Sequence, residues 1–193
     1  MSPDARRDAI LDAVIPLLIE RGTSVTTADM AEAADIAEGT IFRVFPDKAC
    51  LIFEAVKVTM DPDSVRSSIE GITHDQSLHG QLIAAGSILL ERFERVSALA
   101  EVLRSMPDPS SGRRAAAHRC VTQADTAISA AVAELFGRHA DQLLVTPARA
   151  AAAFRGLIFA SASPWMVPGE RLTIDEVVAI LLAGILTPER SLS

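Results

Sequence analysis

Apolar side chains recur along most of this chain at intervals of three, four or seven residues, the spacing of an α-helix with one buried face. Runs typical of β-strands are nearly absent. The pattern therefore predicts an all-α fold of about nine helices. The first four span about residues 3–21, 27–34, 38–45 and 48–60. A short helix that ends at 69 follows, and then a long one from 78 to before Pro107. The last three span about residues 114–136, 147–161 and 174–186.

Proline and glycine mark several of the predicted helix ends. Pro3 follows Ser2 as the first helical position after an N-cap, and Gly22 ends the first helix. Pro16 lacks a backbone donor and is expected to kink that helix. The run MPDPSSGRR at 106–114 predicts an exposed loop, and the pattern allows a break near Ser97 in the long helix before it.

Residues 25–48, VTTADMAEAADIAEGTIFRVFPDK, predict two short helices joined by a tight turn. Thr26 is a suitable N-cap, and Asp29 three residues later gives a pair that resembles a capping box. Asp35 is predicted at the turn, where the backbone needs a positive φ that aspartate tolerates better than most residues. The second helix would be about 12 Å long, which suits the width of a DNA major groove. The segment is predicted to be a helix-turn-helix.

The second of these helices turns Ile41 and Phe45 inward. Its outer face then carries Glu38, Gly39, Thr40 and Arg43, with Phe42 at the edge. Arg43 is the best candidate to contact a guanine, because its guanidinium can form a bidentate pair with that base. Glu38 could accept a hydrogen bond from a cytosine amine, or be a solvated carboxylate favoured at a helix start, and both interpretations stay open.

This segment resembles the DNA-binding motif of the TetR (tetracycline-repressor-like) family. The matching pattern is TT-x-x-x-A, then A-turn-I, then E-G-T-I-F-R-x-F-x-x-K, and the resemblance includes the run ILDAVIPLLIERG at 10–22. Three positions depart from the family's usual pattern. Asp35 replaces the common turn glycine, Ala37 a serine that would cap the second helix, and Phe42 a tyrosine whose hydroxyl contacts phosphate.

The resemblance implies a three-helix DNA-binding head at residues 1–57 on a helical effector-binding and dimerisation domain at 58–193. It implies a homodimeric repressor that a small hydrophobic ligand releases from a palindromic double-stranded operator, with no cofactor. Helix 48–60 is expected to transmit this effect as a lever, as the only continuous element leaving the head. The DNA contacts implied are Thr26, Thr27, Phe42 and Lys48 to the backbone, and Glu38, Gly39, Thr40 and Arg43 to bases.

Charge does not favour DNA binding when it is summed. The chain has a net charge of −7, and residues 1–60 carry six Lys and Arg against ten Asp and Glu. Affinity for phosphate depends on where the cations lie, however, and Arg43 and Lys48 are both on the predicted DNA face. We expect low non-specific affinity. The alternative is a helical ligand-binding or adaptor protein whose acidic head does not bind DNA usefully.

The last two predicted helices indicate a dimer interface. Small residues four apart on the first would let another helix approach closely, and the second is apolar on most sides, so it must be covered on most sides. The plain alternative is a core within one chain. The residues predicted at the interface, which the family resemblance supports, are Ala152, Gly156, Ala160, Val178, Leu181, Leu182 and Ile185.

By the same resemblance, the second domain would enclose a ligand pocket. The apolar composition, 49% of the chain, favours a hydrophobic effector. The candidate lining residues are Phe93, Met106, Phe136, Phe154, Phe159, Trp165 and Met166, and each of them could equally be plain core.

Other chemistries find little support. Cys50 and Cys120 fall in apolar helical patterns, so a disulfide or a redox switch is not expected. The four histidines do not stand at metal-ligand spacing, and no catalytic arrangement stands out, so the chain is expected not to be an enzyme. It shows neither a signal peptide nor a run of ~20 apolar residues, which predicts a cytoplasmic protein without membrane contact.

Overall fold

A computed structural model describes residues 2–73, 77–105, 111–163 and 171–186, with side chains for all of these except 103 and 111–123. This part of the chain contains nine α-helices and no strand, which confirms the predicted all-α fold. The helices are α1 (Pro3–Arg21), α2 (Thr27–Ala33), α3 (Glu38–Val44), α4 (Lys48–Thr59), α5 (Pro62–Glu70), α6 (Leu78–Arg104), α7 (Ser111–Gly137), α8 (Pro147–Ala162) and α9 (Ile174–Ile185).

Side-chain caps determine where several helices begin. In six of those described, the residue before the first turn accepts a hydrogen bond from a backbone N–H three positions on, which satisfies a donor that the helix itself leaves unpaired. These caps are Ser2, Thr26, Asp47, Ser77, Thr146 and Thr173. The other end of α1 is set by Gly22, whose φ of 58° is readily reached without a side chain. α1 contains Pro16 within its length, and the predicted kink stays a prediction.

Two predictions about the middle of the chain are wrong. First, α6 runs unbroken through Ser97, because Leu99 and Val102 beyond it are buried and stabilise the continued helix. Second, the predicted loop 106–114 is too long, since α7 already begins at Ser111. The alanine-rich run that follows favours helix and can extend it toward this end. Residues 106–110 lie outside the described part of the chain.

The described residues form two compact units. The first takes residues within Met1–Asp61 and Glu94–Thr122, and the second takes residues within Pro62–Phe93 and Gln123–Ser193. Because α6 and α7 each contribute residues to both units, while α4 lies wholly within the first, the expectation that α4 is the only continuous element leaving the head was wrong. The functional division predicted between residues 57 and 58 stays a prediction.

The first unit has one apolar core built by α1 to α4 and the last part of α6. Phe45, Leu18 and Met30 are fully enclosed in it. Leu99 and Val102 of α6 belong to the same core. This core fixes α2 and α3 against α1, and so fixes which α3 side chains face outward.

The second unit has its own apolar core, which includes α8 and α9. Gly86 in α6 permits a close approach there, since an added Cβ would lie 2.8 Å from Ile174 Cγ2 and 3.3 Å from Ile158 Cδ1. Within this unit, Leu144 N–H donates to the Ile185 carbonyl at 2.7 Å, which ties the segment before α8 to the end of α9.

Candidate nucleic-acid interface

The first helix of the predicted motif begins with a complete capping box. The Thr26 backbone N–H donates to Asp29 Oδ2 at 2.7 Å, and the Asp29 backbone N–H donates to Thr26 Oγ1 at 3.1 Å. The Thr26 hydroxyl also donates to Asp29 Oδ2, at 2.6 Å, and this bond is the main cause that holds the pKa of the Asp29 carboxyl below its usual value. The start of α2 is therefore fixed by its own two residues, as the sequence predicts.

The turn between α2 and α3 also follows the prediction. Asp35 has a φ of 52°, in the left-handed region, and is the one non-glycine residue with positive φ among those described. The next residue, Ile36, donates from its backbone N–H to the Ala31 carbonyl at 3.0 Å and is half-buried. This geometry makes the chain reverse tightly, so that α3 begins at Glu38.

The start of α3 is held by a side chain from α2. Ala37, its N-cap, makes no side-chain capping bond, which agrees with the absence of the serine noted above. Instead, the Thr27 hydroxyl donates to Glu38 Oε1 at 2.5 Å. Two residues predicted to contact DNA are thus bonded to each other, a link between α2 and α3 that the sequence did not predict.

The outer face of α3 is open to solvent. Phe42 is 46% exposed, Glu38 and Arg43 are exposed, and an added Cβ at Gly39 would meet nothing within 4 Å. Thr40 is half-buried on the same helix. Ile41 on the opposite face is buried, so the predicted division of α3 into an inner and an outer face is present.

Lys48 lies at the start of α4 and is half-buried. Its ammonium group donates to the backbone carbonyl of Val25, just before α2. The helix start itself is capped by Asp47, whose Oδ1 accepts from the Cys50 backbone N–H at 2.6 Å. Lys48 therefore links the start of α4 to Val25, just before α2. A phosphate contact would use the other N–H donors of the Lys48 ammonium group or would replace the Val25 carbonyl as acceptor.

One charged contact of the head was missed by sequence reasoning. Arg7 of α1 pairs with Glu54 of α4 at 3.1 Å, and its guanidinium carbon lies 4.8 Å from the centre of the Phe45 ring. These residues are far apart in sequence and match no short motif. Only the packing of α1 on α4 brings them together.

The predicted ligand-pocket residues are only partly described. Phe136 and Phe154 are fully buried and form an edge-to-face pair with ring centroids 6.1 Å apart. Phe93 and Phe159 form a second such pair at 4.8 Å, with Phe159 41% exposed. The other three candidates, Met106, Trp165 and Met166, lie outside the described residues. The pocket stays a prediction.

The predicted dimer residues divide into two groups. Val178, Leu181 and Ile185 are buried in the core of their own chain, while Leu182 and Ala160 are half-buried. By contrast, Ala152 and Gly156 are exposed. The large apolar side chains exposed on these helices, Phe159 and Ile180 at 53%, were not predicted at the interface. The interface itself stays a prediction.

Within the described ranges, His, Cys, Asp and Glu side chains form no group of three or more that could hold a metal ion. None of the described helices is both long enough and apolar enough to cross a membrane.

Residues 10–55 match the sequence model of the family described as bacterial regulatory proteins, tetR family, which confirms the resemblance of this region. Over 98 residues the chain is 38% identical to the uncharacterized HTH-type transcriptional regulator YvkB of Bacillus subtilis (strain 168). That match covers 49% of this chain and 47% of that protein, so the chain spans about half the length of the curated relative it matches.

The fold is similar to that of solved structures. A TetR-family transcriptional regulator from Agrobacterium tumefaciens has a TM-score of 0.65 at 18% identity, over 96% of this chain and all of that one. The TetR transcriptional regulator SCO0520 from Streptomyces coelicolor has a TM-score of 0.54 at 23% identity, over 92% of this chain and 97% of that one. At these identities the likeness shows the fold.

Proposed function

Since residues 10–55 carry the helix-turn-helix of the bacterial tetR regulatory proteins, we propose that this chain is a homodimeric transcriptional repressor. It binds a palindromic operator and leaves it when a small hydrophobic molecule binds the second unit. The observation that carries the proposal is the geometry of α2 and α3. The start of α2 is capped, Asp35 has the left-handed conformation, and the outer face of α3 is open. These are the features with which a helix-turn-helix inserts its recognition helix into a major groove.

Arg43 is proposed to contact a base. It is exposed on α3, and its side chain makes no hydrogen bond or ion pair with the other described residues, so its guanidinium can bind DNA without first breaking a protein contact. Lys48 is proposed to hold a phosphate, giving up or sharing the Val25 carbonyl that it now contacts. Gly39 suits the close approach of a base edge, because its surface has no side chain.

The dimer is supported by the exposed face of α8 and α9. Glycine inside a helix costs about 0.5–1 kcal/mol relative to alanine. Added Cβ atoms at Gly156 and Gly184 would meet nothing within 4 Å, so a single chain does not need glycine at either place. A second copy packed closely against this face would need glycine at these positions, because a side chain there would keep the two helices apart. The exposed Phe159 and Ile180 supply apolar surface for the same contact.

Binding of the chain to the DNA that flanks its own gene tests the proposal, by gel shift with a random duplex of the same length as competitor. Arg43→Ala should weaken binding to the flanking DNA by about 1–3 kcal/mol and relax discrimination at one base position. Lys48→Ala should weaken binding to both duplexes similarly and reduce the salt dependence, because one phosphate contact is lost.

Lys57→Ala is the matched control for Lys48, since it removes the same charge from the same helix. Lys57 pairs with Glu54 at 3.2 Å, and we expect its loss to leave the salt dependence unchanged. Equal losses on both duplexes for Arg43→Ala would contradict a base contact. Absence of any shift at low salt would reject the repressor and favour the adaptor protein, for which the head's excess of acidic residues is the supporting observation.

A further inference from the structure

Arg6 of α1 lies where two shallow surface grooves of the first unit meet. One groove runs between α1 and the α2–α3 turn and is lined by Arg6, Ala9, Ile10, Ala34, Ile36, Ala37 and Thr40. The other runs between α1 and α3 and is lined by Pro3, Asp4, Arg6, Arg7, Arg43 and Val44. Arg6 therefore shares one groove with Thr40 and the other with Arg43, two residues of the proposed DNA-contacting helix.

Three of the six Lys and Arg among residues 1–60 are already engaged by other residues. Arg7 and Lys57 both pair with Glu54, and Lys48 donates to the Val25 carbonyl. The remaining three, Arg6, Arg21 and Arg43, make no hydrogen bond or ion pair through their side chains with any described residue. Of these three, Arg6 and Arg43 line the same groove.

We propose that Arg6 binds a phosphate of the DNA backbone and so adds α1 to the interface. This inference rests on the proposed function, since it concerns the same DNA. A recognition helix occupies the major groove, and the helices packed beside it lie against the groove edge, where the phosphates are. An arginine on such a neighbouring helix meets a phosphate before it meets a base. Its planar guanidinium can form two parallel hydrogen bonds to phosphate oxygens.

The local charge agrees with a phosphate ligand. The groove shared with Arg43 is lined by three arginines and one carboxylate, Asp4, within a head whose overall charge is negative. An incoming phosphate therefore meets a local excess of positive charge there. Arg7 is held by Glu54 and by the Phe45 ring, which leaves Arg6 and Arg43 as the groove's exposed guanidinium groups without a protein partner among the described residues.

The salt dependence of DNA binding tests this contact. Each phosphate neutralised contributes a slope of about 0.9 to the plot of log K against log salt concentration. Arg6→Gln should lower that slope by about 0.9 for each Arg6 side chain in the complex that contacts a phosphate. It should weaken binding to the flanking DNA and to a random duplex by the same factor, so that their ratio is unchanged. Arg6→Lys should restore most of the slope.

Arg21→Gln is the matched control. It removes the same charge from the same helix, but Arg21 lines neither groove and lies about 22 Å along α1 from Arg6 at the rise of an α-helix. That distance is about twice the screening length at 0.1 M salt, so we expect a wild-type slope. Thermal unfolding of Arg6→Gln should match the wild type, since no described contact is lost.

The outcomes separate this inference from the proposed function. If the wild type binds neither duplex at low salt, both fail together. If the wild type binds and Arg6→Gln keeps its slope, or lowers it no more than Arg21→Gln does, the Arg6 contact is wrong while the repressor stands. If Arg6→Gln keeps the slope but changes the ratio between the two duplexes, Arg6 contacts a base and the assigned phosphate is wrong.

Discussion

At the scale of single residues, the bond between Thr27 and Glu38 changes what each can do. A hydroxyl group has one proton to donate, and in this structure Thr27 donates it to Glu38 Oε1 at 2.5 Å. Thr27 cannot donate that proton to a phosphate at the same time. If Thr27 does turn to a phosphate on DNA, Glu38 loses this donor, and both of its carboxylate oxygens are then left to accept from a base.

We therefore predict that Thr27 and Glu38 are energetically coupled. Thr27→Val keeps the shape of the side chain but removes the donor, and should lower the free energy of unfolding by about 0.5–1.5 kcal/mol. Glu38→Gln should cost less in the Thr27→Val background than in the wild type. Urea unfolding of the two single variants and the double variant measures this coupling. Strictly additive losses would mean that the bond contributes nothing to the free protein.

At the scale of helices, the sequence predicts local features well and non-local ones poorly. The capping box of Thr26 and Asp29 and the positive φ of Asp35 depend on neighbouring residues, so the motif alone suffices for them. The contact of Arg7 with Glu54 requires the packing of α1 on α4, which no local pattern specifies.

The stripe of α9 shows a second limit of sequence reasoning. Helical spacing selects Val178, Leu181 and Ile185 equally well for a core or for an interface, because both need the same apolar stripe. In the folded chain all three are buried in their own core, and the exposed apolar residue is Ile180. Burial, which the sequence does not contain, shows these three side chains in the core of their own chain, and the interface itself stays a prediction.

Gly86 gives a prediction at this same scale. Gly86→Ala should lower the free energy of unfolding by about 1–3 kcal/mol, because its Cβ would lie 2.8 Å from Ile174 Cγ2 and force α6 away from α9 within the second unit. Gly39→Ala is the control. Its Cβ meets nothing within 4 Å, so it should not lower the free energy of unfolding in the absence of DNA. Calorimetry of both variants checks this, and a neutral Gly86→Ala would contradict the close packing.

At the scale of the whole molecule, the proposed dimer determines how two recognition helices reach one operator. Half-sites on a palindrome are about 34–36 Å apart, one turn of DNA, so two heads must be held at a defined distance. An effector can release such a dimer from the operator only if it binds more tightly to a conformation in which the two recognition helices are a different distance apart.

Ile180→Glu tests the dimer without disturbing the core. Ile180 is 53% exposed, so we expect a folded monomer in place of the wild-type dimer when the variant is sedimented at micromolar concentration. Leu181→Glu, by contrast, should unfold the chain, since Leu181 is buried. Val58→Glu is the control, as Val58 is 46% exposed and lies on α4 in the first unit, not on α8 or α9. A wild type that sediments as a folded monomer would reject the interface.

The division of α6 between the two units has a consequence for synthesis on the ribosome. The head's core takes Leu99 and Val102 from a segment that follows the whole of Pro62–Phe93 in the chain. A nascent chain that ends at residue 61 therefore has the complete helix-turn-helix sequence but an unfilled core. The apolar surface left open there is of the kind that chaperones recognise. We therefore expect the head to reach its full stability only after residue 102 has emerged from the ribosome.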